Sequence, residues 1–485
     1  DQHQLGLHNM SNLSELLPAG AGAKSATFVA SGTLASGQTV ALKSNGQVEV
    51  VTGTAAVVSN QVQFGAPTDM TTCSYDKTTN KIFIAYVGAS EYGTMVVGSV
   101  SGGTISFGTP VVFYSGQVQY PGSCFHDATG KVFLAYGIET EQYGIANMIS
   151  ISGTTPTKNA DASFPNSARV RIYPKGCAYD SSTQRVFVFY MALSSSNYGY
   201  GVTASVSGTT ISFGQANSFN SATTQELSAA YDVNANKTVV VYQDSGNGTV
   251  GNANVCTMSG TGFSIGTKAN FNSGYTFDPS ICYDPDNQNL IVACHNTGSG
   301  QDLQGTACIG TISGTDITFT AQQVFGTSAK YPSLSYDTTN NKMIVGYANN
   351  SSSNKFEVIV ISSTGSTLSF GTALASNATA TTTFTSSAFD PDTGAVVFSY
   401  SSGNGKAAVF SPLVTNSTSF IGITDEAISS GASGAVIVQG GVNSKVTSLT
   451  IGSDYYVQVN GTLSTTTSTV PAGRALTNSS ILLEG

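Results

Sequence analysis

Cys73-Ser74-Tyr75-Asp76, a polar turn, and then Lys81-Ile82-Phe83-Ile84-Ala85-Tyr86 form the first copy of a phrase that the chain repeats seven times. An aromatic residue precedes an Asp, a turn of five or six residues follows, and an apolar run closes on Tyr or a substitute. The Asp recurs at Asp127, Asp180, Asp232, Asp284, Asp337 and Asp390, each 51 to 53 residues after the last. A regular period of this length marks a repeat architecture before any residue chemistry is considered.

Each period reads as four short strands. In the first, one strand ends at Tyr75 and the next runs Lys81 to Val87. A loop at Glu91-Tyr92-Gly93 leads to a third strand, Thr94 to Val100. Ser101-Gly102-Gly103 then turns into a fourth, Thr104-Ile105-Ser106-Phe107-Gly108. The fourth-strand phrase returns as Ile211-Ser212-Phe213-Gly214, Phe263-Ser264-Ile265-Gly266 and Leu368-Ser369-Phe370-Gly371. Four strands repeated seven times predict an all-β fold, a seven-bladed β-propeller over residues 54–413. The seventh repeat has no fourth-strand phrase after Phe410, and an unpartnered one stands ahead of the first, at Gln61-Val62-Gln63-Phe64-Gly65. This N-terminal strand is expected to close the last blade and so remove two open sheet edges. The flanking segments, 1–53 and 414–485, should then lie near each other as a small β module. Within the first, Asn9 to Leu17 reads as a short helix. Ser44-Asn45-Gly46 reads as a hairpin turn between Gln38–Leu42 and Gln47–Val51.

Composition narrows the function. Only 9% of the 485 residues are charged, far below the roughly 25% of an average soluble protein. Yet 40% are apolar and periodically placed, so the chain has a core to bury. The net charge of −9 and the scattered Lys and Arg offer no clustered cations for a phosphate backbone, which excludes nucleic acid as the main ligand. No apolar run approaches the roughly 20 residues of a membrane span, so no membrane insertion is expected, and no signal peptide is visible. Seven cysteines argue against a closed disulfide framework. Without a CxxC pair they read as small buried residues rather than metal ligands.

The repeated Asp invites a catalytic or calcium-binding reading, with Asp284 beside Asp286 and Asp390 beside Asp392. A residue that recurs in every blade fits turn formation better, because Asx side chains bond their own backbone two residues on. His126 stands before Asp127 and reads as a substituted aromatic core position, whereas His295 is expected to face solvent. There is no nucleophile elbow, HExxH or phosphate loop, and with no Trp no sialidase-type box can occur. Neither a catalytic residue nor a cofactor nor a metal is therefore expected.

What does not repeat is in the loops between second and third strands. Tyr92, Tyr143, Tyr198 and Tyr200 sit beside glycines in the first three repeats, with Glu91, Glu139 and Glu141 alongside. Tyr92, Tyr143, Tyr198, Tyr200, Glu91 and Glu141 are the candidate ligand-binding residues, a contact patch of rigid amphipathic rings for carbohydrate or protein. Repeated packing between neighbouring blades is the competing reading of the same tyrosines. Later repeats replace the loop with Ser, Asn and Gly, so a patch would be one-sided.

Past residue 414 the period stops. Phe420-Ile421-Gly422-Ile423-Thr424-Asp425-Glu426-Ala427-Ile428 with Gly431-Ala432-Ser433-Gly434, then Tyr455-Tyr456-Val457-Gln458-Val459-Asn460-Gly461-Thr462-Leu463-Ser464 and Ala472-Gly473-Arg474-Ala475-Leu476, resemble a segment common near the C-termini of tailed-bacteriophage tail-fibre proteins. Ser31-Gly32-Thr33-Leu34-Ala35-Ser36-Gly37-Gln38-Thr39-Val40-Ala41-Leu42 is more weakly similar to the same marine-phage proteins. The resemblance covers about the last 65 residues and part of the first 53. It implies a virion structural protein, a tail fibre or surface appendage for host attachment, located on the extracellular particle. The implied partners are other virion proteins at the terminal modules and a host-surface glycan or protein. A homo-oligomer would follow, a trimer being the default for fibres, although no coiled-coil heptad supports one. Two alternatives stand beside this reading: a secreted bacterial adhesin or filament subunit, and a glycan-degrading enzyme, which would need paired carboxylates in a pocket at the propeller axis.

Overall fold

The computed structural model describes residues 24–65, 69–139, 143–165, 169–297, 304–353, 355–376 and 383–484. The helix expected over Asn9 to Leu17 lies outside them. The chain divides into two compact units, Val57–Ser411 and a second made of Asp1–Ala56 with Pro412–Gly485.

In the larger unit the repeats fold as antiparallel sheets: among the described residues two wide sheets each join two successive repeats, and three five-stranded sheets hold one repeat each. The first blade pairs Asp69–Asp76, Lys81–Val87, Tyr92–Ser101 and Thr104–Phe107 in order. The other blades repeat that order. Their inner strands pack in a closed cycle, Thr383–Asp390 of blade 7 lying against Asp69–Asp76 of blade 1. The fold is thus a β-propeller.

The repeated Asp acts at the turn. Asp76 Oδ1 accepts the Thr78 backbone N–H at 2.9 Å, and Asp180, Asp232, Asp284, Asp337 and Asp390 accept the N–H two residues on in the same way. The turns close on a left-handed residue: Asn80, Gly130, Gln184, Asn236, Gln288, Asn341 and Gly394 all have positive φ. Blade 2 departs from the sequence expectation. His126, not Asp127, fills the anchor slot, because His126 pairs with Lys131 as Asp76 pairs with Lys81. Its Nδ1 is 3.0 Å from Thr129 Oγ1, so the imidazole replaces the carboxylate as the side chain that holds the turn. Phe125 then occupies the aromatic position.

Closure uses the N-terminal strand, with a change of register. Val62–Gly65 pairs with Asn404–Ser411 of blade 7, and so does Val57–Val58 nearer the end of that strand. Val57–Val58, with Ser59 N–H donating to Val409 O, takes the place of Thr104–Phe107, where Gly108 N–H donates to Val97 O. Gln61 to Gly65 is therefore not a copy of the fourth-strand phrase. It matches the next segment of the other blades, which carries Phe113, Phe164, Phe219, Phe271 or Phe325. Each of these rings lies against a third-strand glycine: Gly93, Gly144, Gly199, Gly251 and Gly305, with Phe64 on Gly405 in blade 7. A Cβ at any of these glycines would collide with the ring, so only glycine admits the packing. Blade 6 has the sizes reversed, with Phe356 on the third strand and Ser376 opposite.

In the smaller unit the two chain ends interleave. Thr39–Leu42 lies between Phe420–Thr424 and Val48–Val50, and Ser25–Val29 pairs with Ser433–Val438. The Asn45-Gly46 turn is present, with Gly46 at φ 80°. A second sheet holds Asp454–Val457, Pro471–Thr477 and Ser480–Leu483. Ala41, Ile423, Ile437, Tyr455, Val457 and Ile481 make the shared core.

Candidate ligand pocket on the propeller axis

Near the start of every inner strand of the propeller a non-glycine residue takes a left-handed backbone. These residues are Met70, Tyr120, Tyr173, Glu226, Asp278, Tyr331 and Phe384, with φ between 43° and 65°. Six blades show the accompanying register shift, for example between Gln225 and Ser228 and between Phe277 and Ser280. In blade 3 the inner strand is instead interrupted between Val170–Arg171 and Cys177–Asp180. Left-handed non-glycine residues cost about 1 kcal/mol each or more, so the ring holds them in place by other bonds. Serine or threonine two residues after the bulge supplies several. Ser123 N–H donates to Thr72 Oγ1 at 3.1 Å, Ile281 N–H to Ser228 Oγ at 3.3 Å, Leu334 N–H to Ser280 Oγ at 3.0 Å, and Cys73 N–H to Ser386 Oγ at 3.0 Å. These bonds stitch together four of the neighbouring pairs of inner strands.

The bulge turns its side chain out of the sheet and onto the axis. All seven bulge residues line one cavity of about 150 Å³, together with Arg171, Lys175 and Ser228 among others. Tyr120 packs on Tyr173 with ring centroids 4.8 Å apart, and Tyr331 on Phe384 at 5.1 Å. The two acids stand between the aromatic pairs in the order of the ring. A head-to-tail series of bonds joins them: Glu226 N–H donates to the Tyr173 hydroxyl, Asp278 N–H to Glu226 Oε2 at 2.7 Å, and Tyr331 N–H to the Asp278 carboxylate. Among the described residues neither acid has an ion-pair partner within 4 Å. Burial pushes Glu226 up to about 7, and burial with the neighbouring Glu226 charge lifts Asp278 well above the usual carboxylate range.

Lys175 forms the floor. Blade 3 has one more residue between its bulge and its anchor Asp than the other blades, and Lys175 falls in that stretch. Its side chain crosses the axis, donating to Leu334 O of blade 6 and to Ser387 Oγ of blade 7 at 3.1 Å. It also lines a second cavity of about 390 Å³ towards the Asp turns, with Cys73, Cys124, Cys177 and Cys282. Lys175 therefore separates the two spaces. Burial lowers its ammonium to about 8 and raises the Cys73 thiol to about 12, which keeps that thiol protonated and unreactive near neutral pH.

Among the described residues, none of the loop residues expected from sequence lines the axial pocket. Tyr92 is 38% exposed and Glu91 is exposed beside it. Tyr143 and Tyr200 are partly buried against inter-blade core clusters, Tyr200 stacking at 6.2 Å on Tyr190. Tyr198 is partly exposed opposite Thr223, Glu139 pairs with Arg169, and Glu141 lies outside the described residues. The structure spreads these residues over three blades rather than gathering them at one point. His295 is buried, against the expectation of a solvent-facing ring, and lies 5.4 Å from Phe277. Burial, reinforced by Lys330, lowers it to about 4.

The sequence did carry a signal for the axial ring. Tyr120-Pro121, Tyr173-Pro174, Asp278-Pro279 and Tyr331-Pro332 occupy the same slot of four repeats. No family model matches the sequence, and no curated protein matches it. Among solved structures the chain is similar to the BP39L lectin of Burkholderia pseudomallei, at 14% identity and a TM-score of 0.49 over 75% of this chain and 98% of that one. It is also similar to the periplasmic gluconolactonase of Pseudomonas aeruginosa, at 11% identity and a TM-score of 0.45 over 72% and 97%.

Proposed function

We propose that this chain is a tailed-phage virion protein, a tail fibre or surface appendage, that presents its propeller to the host surface and binds a glycan or protein ligand there without cleaving it. The observation that carries the binding role is the axial pocket. Seven strained residues are held in place around one cavity, and two of them are acids that stand between aromatic rings without an ion-pair partner within 4 Å. Structural packing gives no reason to set two acids side by side in a half-buried cavity, whereas a binding site does. The C-terminal stretch from Phe420 to Leu476 supports the virion assignment through its resemblance to tail-fibre segments. On this reading the terminal module docks on the particle or on sister subunits.

Particles made without this protein test the attachment role. They should adsorb to host cells poorly, and normal adsorption would leave only a structural or decorating role.

A second reading, glycan hydrolysis, is favoured by one observation: Glu226 and Asp278 are paired acids in a pocket on the axis. Cleavage needs the two carboxyl groups to flank a bond from opposite sides. Here they belong to adjacent blades and are joined along one arc of the wall, Asp278 N–H bonding Glu226 Oε2. That arrangement favours binding. Release of reducing ends from host polysaccharide by the wild-type chain, abolished in Glu226→Gln, would reverse the order.

A further inference from the structure

The charge balance of the axial pocket specifies what it would hold. Glu226 gives one carboxyl oxygen, Oε2, to Asp278 N–H and more distantly to the Gln243 amide at 3.5 Å. No described residue donates to its Oε1. The cations nearby are engaged elsewhere. Arg171 lies 4.9 Å from the Tyr120 ring centroid and donates to Gln119 Oε1 at 3.0 Å, and Lys175 is tied to Leu334 O and Ser387 Oγ. Lys330 influences Asp278 but forms no ion pair with it. Asp69 adds a third acid close enough to act on Tyr120 and Tyr331. The pocket thus holds two acids that form no ion pair within 4 Å, with Tyr173 on one side and Tyr331 on the other. Aromatic rings beside carboxylates in a small cavity attract organic cations.

We infer that the axial pocket is a seat for an ammonium group, the charged amine of an amino sugar or of an amine-bearing headgroup, held by Glu226 and Asp278 between Tyr173 and Tyr331. The inference rests on reading the pocket as a binding site and not on the virion assignment. An ammonium supplies the close ion-pair partner that the two acids lack and donates to the free carboxyl oxygen. The rings cover its carbon-bound flank. Binding should release a proton wherever Glu226 is protonated, so affinity should rise with pH through neutrality. Arg171, Lys175, Lys330, Asp69 and the buried His295 are the other charged or titratable groups facing this region. Of these, His295 should stay neutral between pH 6 and 8, whereas Lys175 gains charge as pH falls and adds to the loss of affinity.

Titration calorimetry on the full chain tests this with three probes: glucosamine, ethanolamine and the neutral N-acetylglucosamine. At pH 8 at least one ammonium probe should bind at least tenfold more tightly than N-acetylglucosamine. Binding should weaken several-fold between pH 8 and pH 6. Glu226→Gln should cost at least tenfold, with its circular dichroism unchanged. Glucosamine alone would indicate an amino sugar, ethanolamine alone a headgroup, and both an ammonium read without its frame. Equal binding of the neutral probe, no ammonium binding at pH 8, or a wild-type affinity indifferent to pH would overturn the inference. The pH series needs no variant, so a misfolded Glu226→Gln protein leaves it intact. If the chain still blocks particle adsorption while binding no ammonium, only the ligand class fails.

Discussion

The ring of Phe64 lies across the backbone of Gly405, and this contact joins the N-terminal strand Val62–Gly65 to the last blade of the propeller. The same ring-on-glycine pair holds five other blades together, and blade 6 reverses it. Phe64→Ala should therefore cost about 3–5 kcal/mol by cavity formation, and Gly405→Ala about 1–3 kcal/mol by overpacking. The double variant Phe64→Ser/Gly405→Phe copies blade 6. Denaturant unfolding should find it less destabilised than the sum of Phe64→Ser and Gly405→Phe, by about 0.5–3 kcal/mol of coupling. Strict additivity would mean that the pair does not close the ring.

The buried imidazole of His295 should make the protein acid-sensitive. Its folded value, lowered to about 4, lies below the unfolded value near 6.5. The unfolded state therefore binds the proton first, and stability falls as pH drops from about 6.5 to about 4, by up to about 3 kcal/mol. His295→Asn should flatten that part of a stability–pH curve. An unchanged slope would show that the ring is not held neutral.

Glu226 works in the opposite sense. Its folded value of about 7 exceeds the unfolded one, so ionisation penalises the folded state progressively between about pH 4.5 and 7, and fully above. Glu226→Gln should match wild type at pH 4 and exceed it at pH 8 by up to about 3 kcal/mol. A stabilising substitution at this position would mark Glu226 as kept for function. Destabilisation at pH 8 would mark it as structural.

Lys175 offers a comparable test at alkaline pH. Its ammonium is lowered to about 8, against an unfolded value near 10.5. Charging it is costly in the folded state, and the cost is lifted as pH rises from about 8 to 10.5. The stability of wild type relative to Lys175→Met should therefore increase across that interval in thermal melts. A pH-independent difference would mean that the amine stays fully charged on the axis.

The period, the Asx turns and closure by an N-terminal strand were legible because each rests on a repeated residue type or spacing. Errors arose where the structure changes register. Counting to Asp127 hid His126 in the anchor slot, since an imidazole can take the bond that a carboxylate makes elsewhere. Gln61 to Gly65 resembled the fourth-strand phrase because both end in Phe-Gly, yet the ladder places it one segment later. The axial pocket was not legible from side-chain identity. Met70, Glu226 and Phe384 share only a backbone conformation with Tyr120, Tyr173, Asp278 and Tyr331, and the Pro that follows those last four marks the slot in only four repeats, so alignment by type passes over the ring. His295 was misread for a similar reason: strand alternation does not reveal that both faces of a propeller blade are covered.

The central claim is that the axial acids bind at the host surface. Labelled full-length chain, wild type and Glu226→Gln/Asp278→Asn, should be titrated onto host cells in a competition with particle adsorption. Wild type should bind and block adsorption, and the folded double variant should bind at least tenfold more weakly. Equal blocking by both proteins would place attachment away from the axis and contradict the account.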